Sequence, residues 1–142
     1  MRRIQIIVNN GAGTGQAHRV WKETQRLLRG YKIKYEAHMT RYRGHATKLA
    51  EEISGRKGND PVYMLVVGGD GTINEVLNGI LDFDRVRLGV IPTGSGNDFG
   101  RNLKLPKTPK ESLRQICACI RKDQRGLELR RIDLGQVRWE GC

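Results

Sequence analysis

The sequence predicts an α/β fold, a three-layer α/β/α arrangement around a mostly parallel sheet. Three observations carry this. Short apolar runs at residues 4–8, 62–67 and 88–91 each empty into a glycine-rich turn. Apolar residues at helical spacing follow, as in Ile73, Val76, Leu77, Ile80 and Leu81. The strand–turn–helix unit then repeats, the pattern of right-handed βαβ crossovers. Ligands in such sheets bind outside the carboxyl ends of the strands. All three glycine turns fall at those ends, so they are expected to converge on one crevice.

Taken in order, Ile4 to Val8 reads as a buried strand leading into Asn9-Asn10-Gly11-Ala12-Gly13-Thr14-Gly15. Ala17, Val20, Trp21, Thr24 and Leu28 give the next helix one apolar side, and Gly30 is expected to stop it. Residues 33–37 read as a second strand, ending at His38, Met39 and Thr40. After Gly44-His45, the positions Ala46, Leu49, Ala50 and Ile53 mark an amphipathic helix, and residues 54–61 a loop. The third strand, 62–67, ends in Gly68-Gly69-Asp70-Gly71-Thr72-Ile73-Asn74-Glu75, where the next helix begins. The fourth, 88–91, ends in Pro92-Thr93-Gly94-Ser95-Gly96-Asn97-Asp98. Thr108-Pro109-Lys110-Glu111 is a helix start with N-cap, proline and glutamate in their preferred places, and Leu113, Ile116, Cys117 and Ile120 supply its stripe. Residues 127–139 alternate as one or two strands. The last of these breaks off at Trp139-Glu140-Gly141-Cys142 like half a hairpin, so an unpaired edge and self-association as a homodimer are expected.

The 142 residues suit one domain. Positive charge is uneven: 15 basic against 10 acidic side chains in residues 1–100, and 11 against 5 in residues 101–142. Such an excess favours nucleotide phosphates, an anionic membrane surface or nucleic acid, or else serves only as a solvated face. Nucleic acid is disfavoured because no aromatic residues interleave the basic runs. Cys117, Cys119 and Cys142 make no disulfide framework, which points to a reducing cytosol. No apolar stretch is long enough to span a bilayer, and Met1-Arg2-Arg3-Ile4 does not open a signal peptide, so a soluble or peripheral protein is expected.

Glycines let a backbone approach a ligand closely, and helix N-termini attract anions. Asp70 cannot itself attract phosphate; it is placed to act through a metal ion or on a substrate hydroxyl. The plainer alternative is a capping box between Thr72 and Glu75. Gly11-x-Gly13-x-Gly15 departs from the dinucleotide fingerprint, and no P-loop lysine motif occurs. Lys and Arg are scarce in the glycine turns, so backbone N–H groups and the hydroxyls of Thr14, Thr72 and Ser95 are the expected phosphate partners, with a metal balancing charge. His45 is a structural histidine or a general base, Asp98 an Asx-turn or functional residue, and Asp133 a turn or hinge residue. His18 and His38 have no evident partners.

Gly68 to Glu75, Pro92 to Arg101, Thr40 with Gly44-His45-Ala46, and Ile132-Asp133-Leu134-Gly135 together resemble the diacylglycerol kinase catalytic domain family, which includes bacterial soluble lipid kinases, sphingosine kinases and ceramide kinase. The first motif alone is shared with NAD kinases. The resemblance implies a Rossmann-like fold of the NAD kinase and diacylglycerol kinase type. It implies transfer of the ATP γ-phosphate, with Mg²⁺, to a lipid hydroxyl such as that of diacylglycerol, by a cytoplasmic protein peripheral to the inner face of the membrane. Asp70 would be the catalytic and metal-binding residue. Asn9, Ala12, Gly13, Thr40, Gly68, Gly69, Gly71, Thr72, Asn74, Glu75, Gly94, Ser95, Gly96 and Asn97 would bind the nucleotide, although Asn10 replaces the family's usual proline. Residues 1–126 would form the nucleotide-binding domain and 127–142 the start of a β-rich second domain, so the chain would be the nucleotide-binding half and inactive alone. The alternatives are an NAD kinase-like enzyme and a non-catalytic nucleotide- or membrane-binding module.

Overall fold

The computed structural model describes residues 3–9, 11, 15–93, 108–124, 130–134 and 137–141, with the side chains of 119, 122–124 and the last two strands left aside. Strands β1 (Ile4–Val8), β2 (Tyr35–Met39), β3 (Val62–Gly68) and β4 (Val86–Pro92) form one parallel sheet in the order β2-β1-β3-β4. The helices are α1 (Gln16–Gly30), α2 (His45–Ser54), α3 (Asp70–Gly79) and α4 (Pro109–Gln124). The predicted α/β fold is therefore present.

Strand order and handedness fix the layers. The step from β1 to β2 runs toward one edge, while β2 to β3 and β3 to β4 run the other way. Right-handed crossovers then put α1 on one face and α2 and α3 on the opposite face. The core follows: Ile7, Met64, Val66, Leu88 and Val90 pack with Ala46, Ala50, Ile53, Ile73 and Val76. Ile4, Ile6, Val8, Leu65, Val67 and Ile91 pack with Trp21, Leu28, Leu113, Ile116 and Ile120. Alternation along each strand divides the two sets. The topological switch lies between β1 and β3, where connections leave in opposite directions.

The boundaries differ from the sequence reading where local hydrogen bonds compete. α1 ends at Gly30 as expected, but the left-handed residue that turns the chain away is not that glycine. The helix ends in a Schellman motif in which Ile33 N–H donates to Leu28 O (3.0 Å) and Lys32 N–H to Arg29 O (3.0 Å). The left-handed residue is Lys32, at φ 57°. Because Ile33 is drawn into this cap, β2 begins at Tyr35, opposite Ile4, and runs to Met39. A side chain in left-handed backbone is strained, so Lys32→Gly is expected to stabilise the protein by about 0.5–1 kcal/mol after allowing for glycine's freer unfolded chain. Urea unfolding checks this; a loss of stability would contradict it.

The strand β4 extends two residues beyond the predicted start, to Val86. The α3 stripe stops earlier than its spacing suggests: Ile80 is buried just past the helix end, but Leu81 is 64% exposed. The start of α4 is as predicted, with Glu111 N–H donating to Thr108 Oγ1 at 3.2 Å. Across β1 and β2, His38 Nε2 lies 2.9 Å from Gln5 Oε1. Burial, aided by the Arg56 charge, holds the His38 pKa below its ordinary value.

The chain end is not half a hairpin. β5 (Arg130–Leu134) pairs antiparallel with β6 (Val137–Gly141), so the strand expected to be unpaired has a partner within the chain. Asp133 sits inside β5 opposite Arg138 and is not a turn residue. Among the described residues no helix is long and apolar enough to cross a membrane.

Candidate functional site

The carboxyl edge of the sheet is extended by single hydrogen bonds past the strand ends. Asn9 N–H donates to Val67 O (2.9 Å), Thr40 N–H to Val8 O (2.9 Å) and Thr93 N–H to Gly68 O (3.1 Å). This lines up the first residues of the connecting loops. The three helices that follow all start at this edge with a glycine N-cap: Gly15 (φ 72°), Gly44 (φ 90°) and Gly69. The first two adopt left-handed backbone, where glycine alone is unstrained. Gly69 does not: at φ −88° and ψ −172° it is extended, so its place does not rest on forbidden dihedrals.

Side chains then tie the loops together. Asn9 Nδ2 donates to Thr72 Oγ1 at 2.9 Å, and Asn9 Oδ1 accepts Gly11 N–H at 3.3 Å. Gly68 makes room for this, since an added Cβ would lie 2.8 Å from Thr72 Cβ. The Thr72–Glu75 capping box does not form. Thr72 Oγ1 is engaged by Asn9, Glu75 Oε1 accepts Gly44 N–H at 2.9 Å, and no side chain caps α3. A further bond from Thr47 Oγ1 to Glu75 O (2.8 Å) draws α2 against α3.

These contacts border an open cavity of about 360 Å³ beside the switch point, lined by Asn9, Gly11, Thr40, Arg41, Tyr42, Arg43, Ala46, Thr72 and Glu75. Of the residues singled out in the sequence, the cavity brings together Asn9, Thr40, Thr72 and Glu75. Gly68, Gly69, Asp70, Gly71 and Asn74, at the end of β3, in the β3–α3 turn and in the first turns of α3, do not line it. Ala12, Gly13, Gly94, Ser95, Gly96 and Asn97 lie outside the described residues, as do Asn10, Thr14 and Asp98. Convergence of the third glycine turn is thus followed only as far as Thr93.

Sequence reasoning missed the cations. The glycine turns hold few, but the loop after β2 contributes Arg41 and Arg43 to the cavity wall. The available signal was Thr40-Arg41-Tyr42-Arg43-Gly44-His45, a basic and aromatic run directly after a strand's carboxyl end. His45 organises that run: its Nδ1 accepts Arg41 N–H at 2.9 Å, and its ring stacks on Tyr42 at 4.5 Å. Lys48 Nζ lies 5.7 Å from the Tyr42 ring centroid. Chemically, the wall offers two exposed arginines, a side-chain amide, hydroxyls and the first turns of α2 and α3, a donor set suited to phosphate. Among the described residues no group of three or more His, Cys, Asp or Glu side chains could hold a metal ion.

Comparison with known proteins agrees with this arrangement. The model of the diacylglycerol kinase catalytic domain matches residues 3–136. The diacylglycerol kinase of Bacillus subtilis (strain 168) is 39% identical over 112 residues, which cover 75% of this chain and 35% of that protein. The diacylglycerol kinase of Staphylococcus aureus (strain MRSA252) is 40% identical over 108 residues, covering 74% and 33%. A solved diacylglycerol kinase structure from Bacillus anthracis str. Sterne superposes with a TM-score of 0.61 at 32% identity, over 78% of this chain and 40% of that one. The chain spans about a third of the length of the curated relatives it matches.

Proposed function

Because the chain belongs to the diacylglycerol kinase catalytic domain family, we propose that it is the nucleotide-binding part of an ATP-dependent lipid kinase. Residues 1–126 form that part and 127–142 begin a β-rich second unit. The observation that carries this reading is the cavity at the switch point, where Asn9, Thr40 and Thr72 meet Arg41 and Arg43. Phosphoryl transfer requires mostly positioning and charge stabilisation. Arg41 and Arg43 supply positive charge for the phosphates. Asn9, through Thr72, fixes the first loop against the β3–α3 turn, so the two backbones that approach the phosphates keep one geometry.

Asp70 is the first residue of α3, two positions before Thr72 of the cavity wall. In this reading it ligates Mg²⁺ or orients the acceptor hydroxyl. A single carboxylate fits Mg²⁺, which is held by one or two carboxylates together with phosphate oxygens and water. When bound, that ion neutralises charge on the phosphates. The acceptor is a lipid hydroxyl, reached from an anionic membrane surface to which exposed basic residues such as Lys110 and Arg114 contribute.

The test is transfer of radiolabelled phosphate from ATP by the full-length gene product, offered diacylglycerol in mixed micelles and NAD in parallel. Label is expected in the lipid and not in NAD, with no transfer by residues 1–142 alone. Label in NAD would favour an NAD kinase-like enzyme, and label in neither a non-catalytic module.

A further inference from the structure

We propose that Glu75 is a positioning residue. Its carboxylate pins the β2–α2 loop to α3 and so aims Arg41 and Arg43 into the cavity. This rests on the reading of the cavity as a phosphate site.

The bond from Gly44 N–H to Glu75 Oε1 (2.9 Å) joins residues 31 positions apart in the chain. It falls on the N-cap of α2, a left-handed glycine at φ 90° that no side chain of its own helix caps. The opposite end of the loop is fixed to the sheet by Thr40 N–H donating to Val8 O. Between these anchors, the bond from Arg41 N–H to His45 Nδ1 and the Tyr42–His45 stack are local to the loop and α2. Glu75 is therefore the side chain that fastens this run to the helix carrying the glycine-rich turn.

Charge argues for the same role. Glu75 is the acidic residue in a wall that otherwise holds Arg41 and Arg43. Facing a phosphate directly, a carboxylate would repel it. Accepting a backbone N–H satisfies the carboxylate and leaves the guanidinium groups to face the ligand. The clamp needs an acceptor oxygen at that distance and does not need a charge, which separates it from direct ligation of a cation.

The test compares Glu75→Gln and Glu75→Ala in the full chain by two readouts. One is hydrogen exchange of the Gly44 amide measured by NMR without ligand; the other is the affinity for MgATP. In Glu75→Ala, Gly44 exchange is expected to speed up at least tenfold and ATP affinity to fall about tenfold, the scale of one hydrogen bond to a charged group. Glu75→Gln, which keeps the oxygen, is expected to restore both to within about threefold of the parent. Unchanged Gly44 exchange in Glu75→Ala would overturn the clamp. So would a Gln variant that keeps Gly44 protected yet binds ATP as poorly as Ala, because the charge itself would then be touching ligand or metal. Should the parent bind no ATP, the phosphate reading of the cavity fails, and Gly44 exchange alone decides the clamp.

Discussion

Gly79→Ala is expected to destabilise the protein by about 3 kcal/mol, lowering the melting midpoint by about 10 °C for a chain of this size. Gly79 is buried at the end of α3, where α2 crosses. An added Cβ would overlap Thr47 O, and would lie 2.9 Å from the Thr47 carbonyl carbon and 3.0 Å from Ala50 Cβ. Backbone does not yield as a side-chain tip does, so the two helices must separate. That separation breaks the Thr47–Glu75 bond and loosens the Gly44–Glu75 bond with it. Gly71 provides the contrast. It lies exposed in the first turn of α3 with nothing within 4 Å of an added Cβ, so Gly71→Ala is expected to stabilise by about 0.5–1 kcal/mol. If it nonetheless weakens ATP binding, close approach of ligand to backbone is the reason that glycine stands there. Thermal and urea unfolding of the two variants check the pair; a Gly79→Ala protein within 1 kcal/mol of the parent would show that α2 and α3 are less closely held.

Asp70→Asn is expected to lower phosphoryl transfer by the full-length gene product at least tenfold, about 1.4 kcal/mol of transition-state stabilisation. Its cost in stability should be smaller. Asp70 is partly exposed, and as the first residue of α3 its charge gains at most about 1 kcal/mol from the helix N-terminus. Asparagine keeps the shape, so the substitution isolates the charge. Steady-state rates alongside an unfolding curve separate the two effects. Activity within twofold of the parent would remove Asp70 from the chemistry.

Most of the fold was legible because its signals are local. The short apolar runs of β1 and β3, the apolar stripes of α1, α2 and α4, and the Thr108 cap each depend on neighbours in sequence. What was not legible depends on distant partners. Lys32 ends α1 through a Schellman motif that a search for glycine passes over. Thr72 and Glu75 have the spacing of a capping box, but Asn9 and Gly44, brought near by the sheet order, offer better-placed partners. Arg41 and Arg43 read as loop charges until β2 is placed at the sheet edge beside β1, which turns the loop that follows toward the switch point. In the candidate site the glycine motifs were found from sequence, whereas the hydrogen bonds and cations that give them shape were not.

The most direct test of a phosphate site at the switch point is calorimetric titration of the chain with MgATP, repeated on Asn9→Ala, on Arg43→Ala and on Arg121→Ala. Arg121 serves as the control because it lines a separate groove with Tyr31, Lys32 and Ile33, at the opposite edge of the sheet. The expected result is weak binding by the parent, a loss of about tenfold in each of the first two variants, and no change in the third. Equal affinity in all four proteins, or a loss confined to Arg121→Ala, would contradict a nucleotide site at the carboxyl edge.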